Sequence, residues 1–277
     1  MNTAPELTAN VAEKQKIYAF NSTVLYLLAY LILYGLNQLV TVFMARSNFI
    51  PVALFPGHID FRIPDRAWQV SQVVSTYGPG PFACLAVAAV SVVLFNKVKN
   101  LGGLRKLFYL WLMVHGFNFF FGSLIAGTLA RSGFWFAVRW SIPSDFATWA
   151  IAFVFSLLML FIGFLTAPGF LISCDSITLV QFVNRRKLLN AMIFFPWLAG
   201  SLILVLLKVP DLTGYEDLQY LTMMLMLAPA YFFNLGNPFS ETVEAPLRPH
   251  FAFGLGLGLL LILVIFRFSL QNGIHFG

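Results

Sequence analysis

Charged side chains are scarce in this chain. Asp, Glu, Lys and Arg make up 10% of its 277 residues, where a soluble domain carries about a quarter. That shortage excludes a soluble enzyme domain of useful size. Cysteine is nearly absent: Cys84 sits in an apolar run and Cys174 just after another, so no disulfide framework exists and both are expected as free thiols. Signatures of nucleophilic or nucleotide chemistry are missing, since no G-x-S-x-G, G-x-x-x-x-G-K-[ST] or G-x-G-x-x-G occurs. An intramembrane zinc site needs H-E-x-x-H, and the stretch H-G-F-N-F from His115 to Phe119 lacks both the Glu and the second His. A retinal Schiff base needs a lysine, and the last apolar run holds only Arg267. The expectation is therefore no catalytic residue, no metal and no cofactor.

What the chain has in excess is apolar surface: 59% of residues are hydrophobic and the mean hydropathy is +0.82. Seven windows are long enough to cross the hydrocarbon core at about 20 residues per crossing: 22–45, 80–96, 106–130, 146–167, 188–207, 218–234 and 251–270. This predicts an all-α, polytopic transmembrane helical bundle. Residues 1–21 are expected as a cytoplasmic segment and 22–277 as one transmembrane domain. The first window has no small-residue cleavage site, so it reads as an uncleaved span and not as a signal peptide.

A net charge of +6 does not point to nucleic acid, because the 17 basic residues are scattered in twos and threes between apolar runs. They read as topology signals. With the N-terminus inside, Lys14, Lys16, Lys97, Lys99, Arg105, Lys106, Arg185, Arg186, Lys187 and Arg248 are inner, while Arg46, Arg62, Arg66, Arg131, Arg139, Lys208 and Arg267 are outer. The bias favours N-in and C-out.

Residues 46–79 form the longest connection and are expected to be an ordered outer cap. "HIDFRIPD" alternates Ile59, Phe61 and Ile63 with polar residues, as a half-buried strand does. Asp65 is placed to cap a short helix through "RAWQVSQVVSTY", and Gly78-Pro79-Gly80-Pro81 should stop or bend it. Pro168-Gly169 predicts a second interruption, with a bent helix end or interfacial segment on the inner face. Asp145 suits the start of the fourth span as an acidic first-turn residue, and Asp175 reads as an inner-surface residue. No internal repeat is visible, which argues against transporters built from repeated halves.

Polar groups inside the windows form two stripes. Tyr26, Tyr30 and Tyr34 recur every four residues on the first, followed by Asn37, Gln38 and Thr41. On the third, His115, Asn118 and Gly122 share a face, and Ser123, Ala126 and Gly127 extend a small-residue strip suited to helix packing. The two spans run in the same direction, so Tyr30 should lie at the depth of His115 and Tyr34 at that of Asn118. The hydroxyls are expected to bond the imidazole or the amide. The cluster Tyr30, Tyr34, Asn37, His115 and Asn118 is thus the candidate intramembrane site, with structural glue as its plainer role. Glu241, Glu244 and His250 in the inner loop lie too far from His115, about 12 Å below the interface, to complete a carboxylate-histidine site. "GLGLG" at 254–258 reads as a close-packing surface. No window centre carries Asp, Glu, Lys or Arg, which leaves ion-coupled transport little support. The abundant Phe, 31 in all, suits contact with acyl chains or neighbouring helices.

The stretches "GPGPFACLAV", "LWLMVHGFNFFFGSLIAG" and "SGFWFAVRW" resemble uncharacterised bacterial multi-pass inner-membrane proteins. The resemblance covers mainly residues 50–140, implies a bacterial inner-membrane setting, and carries no catalytic residues. The leading functional expectation is a non-catalytic subunit or scaffold, in contact with membrane lipids and other integral subunits. The competing one is an intramembrane enzyme or lipid-handling protein using His115 and Asn118; a small transporter comes third.

Overall fold

The computed structural model describes residues 11–209, 215–236 and 247–276. It is an all-α bundle in which seven helices are long and apolar enough to cross a membrane: Val11–Ser47, Val70–Val98, Arg105–Ala130, Asp145–Ile172, Phe182–Lys208, Leu218–Gly236 and Phe253–Leu270. The chain is a multi-pass membrane protein. The first helix starts well before its apolar window because Ile17, Tyr18 and Asn21 are buried in the bundle, so packing extends a helix whose early residues are too polar for a hydropathy window.

The third span lies at the centre. Of its most apolar window 78% is buried, against 11% for the seventh. Glycines set how closely its neighbours approach. A side chain at Gly116 would meet Ala88 and the Cys84 carbonyl of the second span, and one at Gly169 of the fourth would meet Leu110. Elsewhere Gly163 of the fourth span lies on the Met226 backbone of the sixth, and Gly200 of the fifth on the Tyr26 ring. Trp111 fills the centre, edge-on to Tyr26 at 5.0 Å and to Phe170 at 5.5 Å.

At the end of the bundle where the first span finishes, strands β1 (Val52–Leu54), β2 (Ile59–Phe61) and β3 (Ile274–Phe276) form an antiparallel sheet in the order β2-β1-β3. Val52 stands opposite Phe61 on one side and Phe276 on the other. Buried β1 joins Val42, Ala45 and Leu270 in a second apolar cluster. The strand at 59–61 matches its period-two pattern, whereas β3 comes from the far end of the chain and has no such signal. Asp65 opens only a single 3₁₀ turn. The short helix Val70–Tyr77 is instead capped by Gln69 and Gln72 in a reciprocal pair. Gly78 keeps right-handed helical angles (φ −81°, ψ −53°), and Pro79 takes the first position of Pro79–Val98, where its missing N–H costs nothing. The two helices therefore abut, and together they make the second span.

The opposite end is held by a buried ion pair. Lys106 Nζ lies 2.7 Å from Asp175 Oδ1, Asp175 Oδ2 accepts the Gly103 N–H at 2.6 Å, and the Asp175 N–H donates to the Tyr18 hydroxyl. Asp175 is thus a hub between the first, third and fourth spans, not a surface residue. Pro168 is accommodated inside the last turns of the fourth helix, which runs on to Ile172.

Breaking a buried pair strands the remaining charge. Lys106→Met should cost about 3–5 kcal/mol in reversible unfolding from mild detergent, and adding Asp175→Leu should recover part of the loss. A single-variant cost below ~1 kcal/mol, the range of exposed pairs, would mean that this pair is solvated.

Candidate functional site

Helical spacing puts Tyr26, Tyr30 and Tyr34 on the face of the first span that meets the third. His115 is fully buried, with its ring centroid 4.4 Å from Tyr26, 5.7 Å from Tyr30 and 6.0 Å from Trp111. The sequence places His115 and Tyr30 at one depth, and their rings do meet. The expected hydroxyl–imidazole bond is not made. Tyr26 pairs with Ser201 at 2.8 Å, Tyr220 donates to Tyr30 at 2.9 Å, and Tyr34 donates to the Pro56 carbonyl at 2.8 Å. Each hydroxyl reaches past the imidazole to a partner elsewhere. Among the described residues neither His115 nitrogen meets a partner in good hydrogen-bond geometry, although the imidazole lies beside the Tyr26 backbone.

Asn118 also departs from expectation, because it pairs with the sixth span and not with Tyr34. It opens a π-helical turn, Asn118–Gly122. Its Nδ2 donates to the Gln219 carbonyl at 2.9 Å, its Oδ1 accepts from Thr222 at 2.9 Å, and its carbonyl accepts from Gln219 Nε2 at 3.2 Å. Gly122 makes this lock possible: a side chain there would strike Asn118 Oδ1 and Thr222 Oγ1. The rest of the small-residue strip acts more locally. Ser123 bonds the Phe120 carbonyl, Ala126 is buried, and Gly127 gives room to Ser132 and Trp135 of the following turn.

Asn37 lies apart, in a cleft of about 240 Å³ beside the sheet, lined also by Thr41, His58, Tyr77 and Ser132. Its Oδ1 is buried without a partner and packs on Gly80. The five predicted residues therefore divide into three settings: an aromatic nest for His115, Tyr30 and Tyr34; an interhelical lock for Asn118; and the cleft beside the sheet for Asn37.

The sequence reading missed several groups. Lys208, assigned to an outer loop, is buried, and its ammonium lies 5.0–5.8 Å from the ring centres of Tyr34, Tyr220 and Tyr30. Such an aromatic box stabilises a cation through the negative ring faces. Arg185 is buried too, donating to the Asn234 and Val180 carbonyls. Both sit at the ends of apolar runs, where a window average counts them as solvated, and only their spacing from tyrosines and carbonyls in other spans could reveal them. Tyr220, Gln219 and Thr222 carry no signal of their own in a weakly apolar window.

Among the described residues no three His, Cys, Asp or Glu converge. Glu241 and Glu244 lie outside the described residues, while the His250 carbonyl is taken by Asn21. What this arrangement does chemically is hold helices together. No family model, curated protein or solved structure matches the chain.

Because the His115 nitrogens make no well-formed hydrogen bond among the described residues, His115→Phe should leave thermal stability in detergent unchanged or raised. Asn118→Leu should lower it by about 1–2 kcal/mol, as expected for several interhelical hydrogen bonds. Equal losses would show that the imidazole carries a bond. In the hinge after the fourth span, burial pushes the Cys174 thiol up to about 12. Only the thiolate reacts, so maleimide at pH 8 should label Cys174 only after unfolding. Labelling of the folded chain at free-thiol rates would mean that the hinge opens.

Proposed function

We propose that the protein is a non-catalytic scaffold subunit of a bacterial inner-membrane complex, with its N-terminus inside, and that its seventh span receives a transmembrane helix of another subunit. One observation carries this reading. Within the spans and among the described residues, Gly80, Gly116, Gly122, Gly127, Gly163, Gly169 and Gly200 each lie against another part of the chain, while Gly35, Gly236, Gly254 and Gly258 have open space beside them. Of these four, Gly254 and Gly258 stand four residues apart on one helix, the spacing at which small residues let helix backbones approach. The seventh span is also the least buried, exposing Leu255, Leu257, Leu261 and Ile265. Ten of the 17 basic residues share the N-terminal side of the spans, which supports the orientation. The resemblance of residues 50–140 to bacterial inner-membrane proteins supports the setting.

The competing reading, intramembrane chemistry at His115, has in its favour two ring nitrogens without a well-formed hydrogen bond among the described residues. Against it, three aromatic rings enclose the imidazole, and Asn118 spends its hydrogen bonds on the sixth span. The nest leaves no surface for a substrate.

A photo-crosslinking residue at Leu257 or Leu261 should give a discrete protein adduct in the native membrane, while one at Phe161 of the fourth span should give none. Gly254→Leu with Gly258→Leu should abolish the adduct without lowering the amount of folded protein. Adducts with lipid alone at both seventh-span positions would refute the proposal. A two-tag experiment distinguishes a second copy of this chain from a different subunit.

A further inference from the structure

The fifth and sixth spans diverge at the N-terminal end of the fifth, leaving a groove of about 480 Å³ between them. Its lining changes with depth. Arg186 stands at the mouth, Asn190 and Tyr231 come next, and Ile193, Phe194, Trp197 and Leu227 are among the apolar residues beyond. Among the described residues no carboxylate lines the groove. Arg186 is exposed and forms no ion pair among the described residues.

Asn190 begins a second π-helical turn, Asn190–Phe194, of a kind often found at functional sites. Its Oδ1 accepts the Tyr231 hydroxyl at 2.6 Å, which leaves its amide N–H groups without a partner among the described residues. Asn190 is one turn deeper than Arg186, about 6 Å along the helix, and Trp197 about 10 Å deeper again. A cation, then a hydrogen-bond donor, then an apolar trough follow the order of a phospholipid: phosphate, ester carbonyls, acyl chain.

We infer that this groove is a binding site for an anionic phospholipid, with the headgroup phosphate on Arg186, an ester carbonyl on the Asn190 amide and an acyl chain along the more exposed Phe194 and Trp197. Lys187, next in the chain, adds to the positive field at the mouth. Basic pockets between spans at the inner face are places where anionic headgroups bind. The site lies on the fifth and sixth spans, and its occupancy does not depend on a partner at the seventh.

Native mass spectrometry of the full chain in mild detergent tests the assignment, using equimolar phosphatidylglycerol and phosphatidylcholine with identical acyl chains. Phosphatidylglycerol should be retained about fivefold over phosphatidylcholine, the ratio expected for one basic side chain. Arg186→Gln should bring that ratio close to one, Arg186→Lys should keep most of it, and Lys99→Gln, an exposed cation at the same end, should leave it unchanged. In vesicles, phosphatidylglycerol with brominated acyl chains should quench the Trp197 fluorescence, read as the difference between wild type and Trp197→Phe. No preference in the wild type, a preference that survives Arg186→Gln, an equal loss in Lys99→Gln, or no quenching of Trp197 would each overturn the assignment.

Discussion

Hydrocarbon neither donates nor accepts a hydrogen bond, so a polar group carried into the bilayer is costly unless it finds its partner within the protein. The arrangement of the spans follows from how this chain meets that condition. Asn118 draws in Gln219 and Thr222, Trp111 donates to Ser22, and Ser22 donates in turn to the Met192 carbonyl. Three helices are thereby joined through one hydroxyl, which fixes the depth of the first, third and fifth spans against one another. A shift of one residue would break both bonds and leave groups that lipid cannot satisfy.

Size matching supplies the attraction that hydrogen bonds only orient. Association in lipid gains little from apolar burial and depends on van der Waals contact, so the large rings need small surfaces facing them. The Tyr26 ring packs on Gly200 and the Leu110 side chain on Gly169, while Gly163 admits the Met226 backbone. His115 belongs to this pattern. It occupies the volume of an aromatic ring among Tyr26, Tyr30 and Trp111, and its neighbours' hydroxyls are committed elsewhere.

The fold class was legible because its signal is an average over many residues: seven apolar windows survive the loss of any one detail. The strand at 59–61 was legible too, since alternation there is local. Partnerships were harder. Tyr30 and His115 could be brought to the same depth by counting residues, but counting gives no azimuth, and the π turn at 118–122 rotates Asn118 toward the sixth span. Lys106, Asp175, Arg185 and Lys208 were invisible for another reason. A charge at the end of an apolar run is normally solvated, and only a tertiary partner brings it inside: Asp175 for Lys106, carbonyls for Arg185, three tyrosines for Lys208. For Gly122, expected as a packing residue, the close approach is to side chains on its own and the sixth span.

The two ends of the bundle explain why the seventh span is left so bare. At its start, Asn21 accepts the Ala252 N–H and donates to the His250 carbonyl, and Phe20 packs on Phe251 and Phe253. At its finish, β3 completes the sheet on β1, and Arg62 meets His275 across it at 3.0 Å. A helix fastened at both ends needs few contacts between them. The span is thereby held upright at the edge of the bundle with its paired glycines uncovered. A helix retained only by its own lateral packing would instead have to bury that face against the rest of the chain, and no surface would remain for a second helix to use.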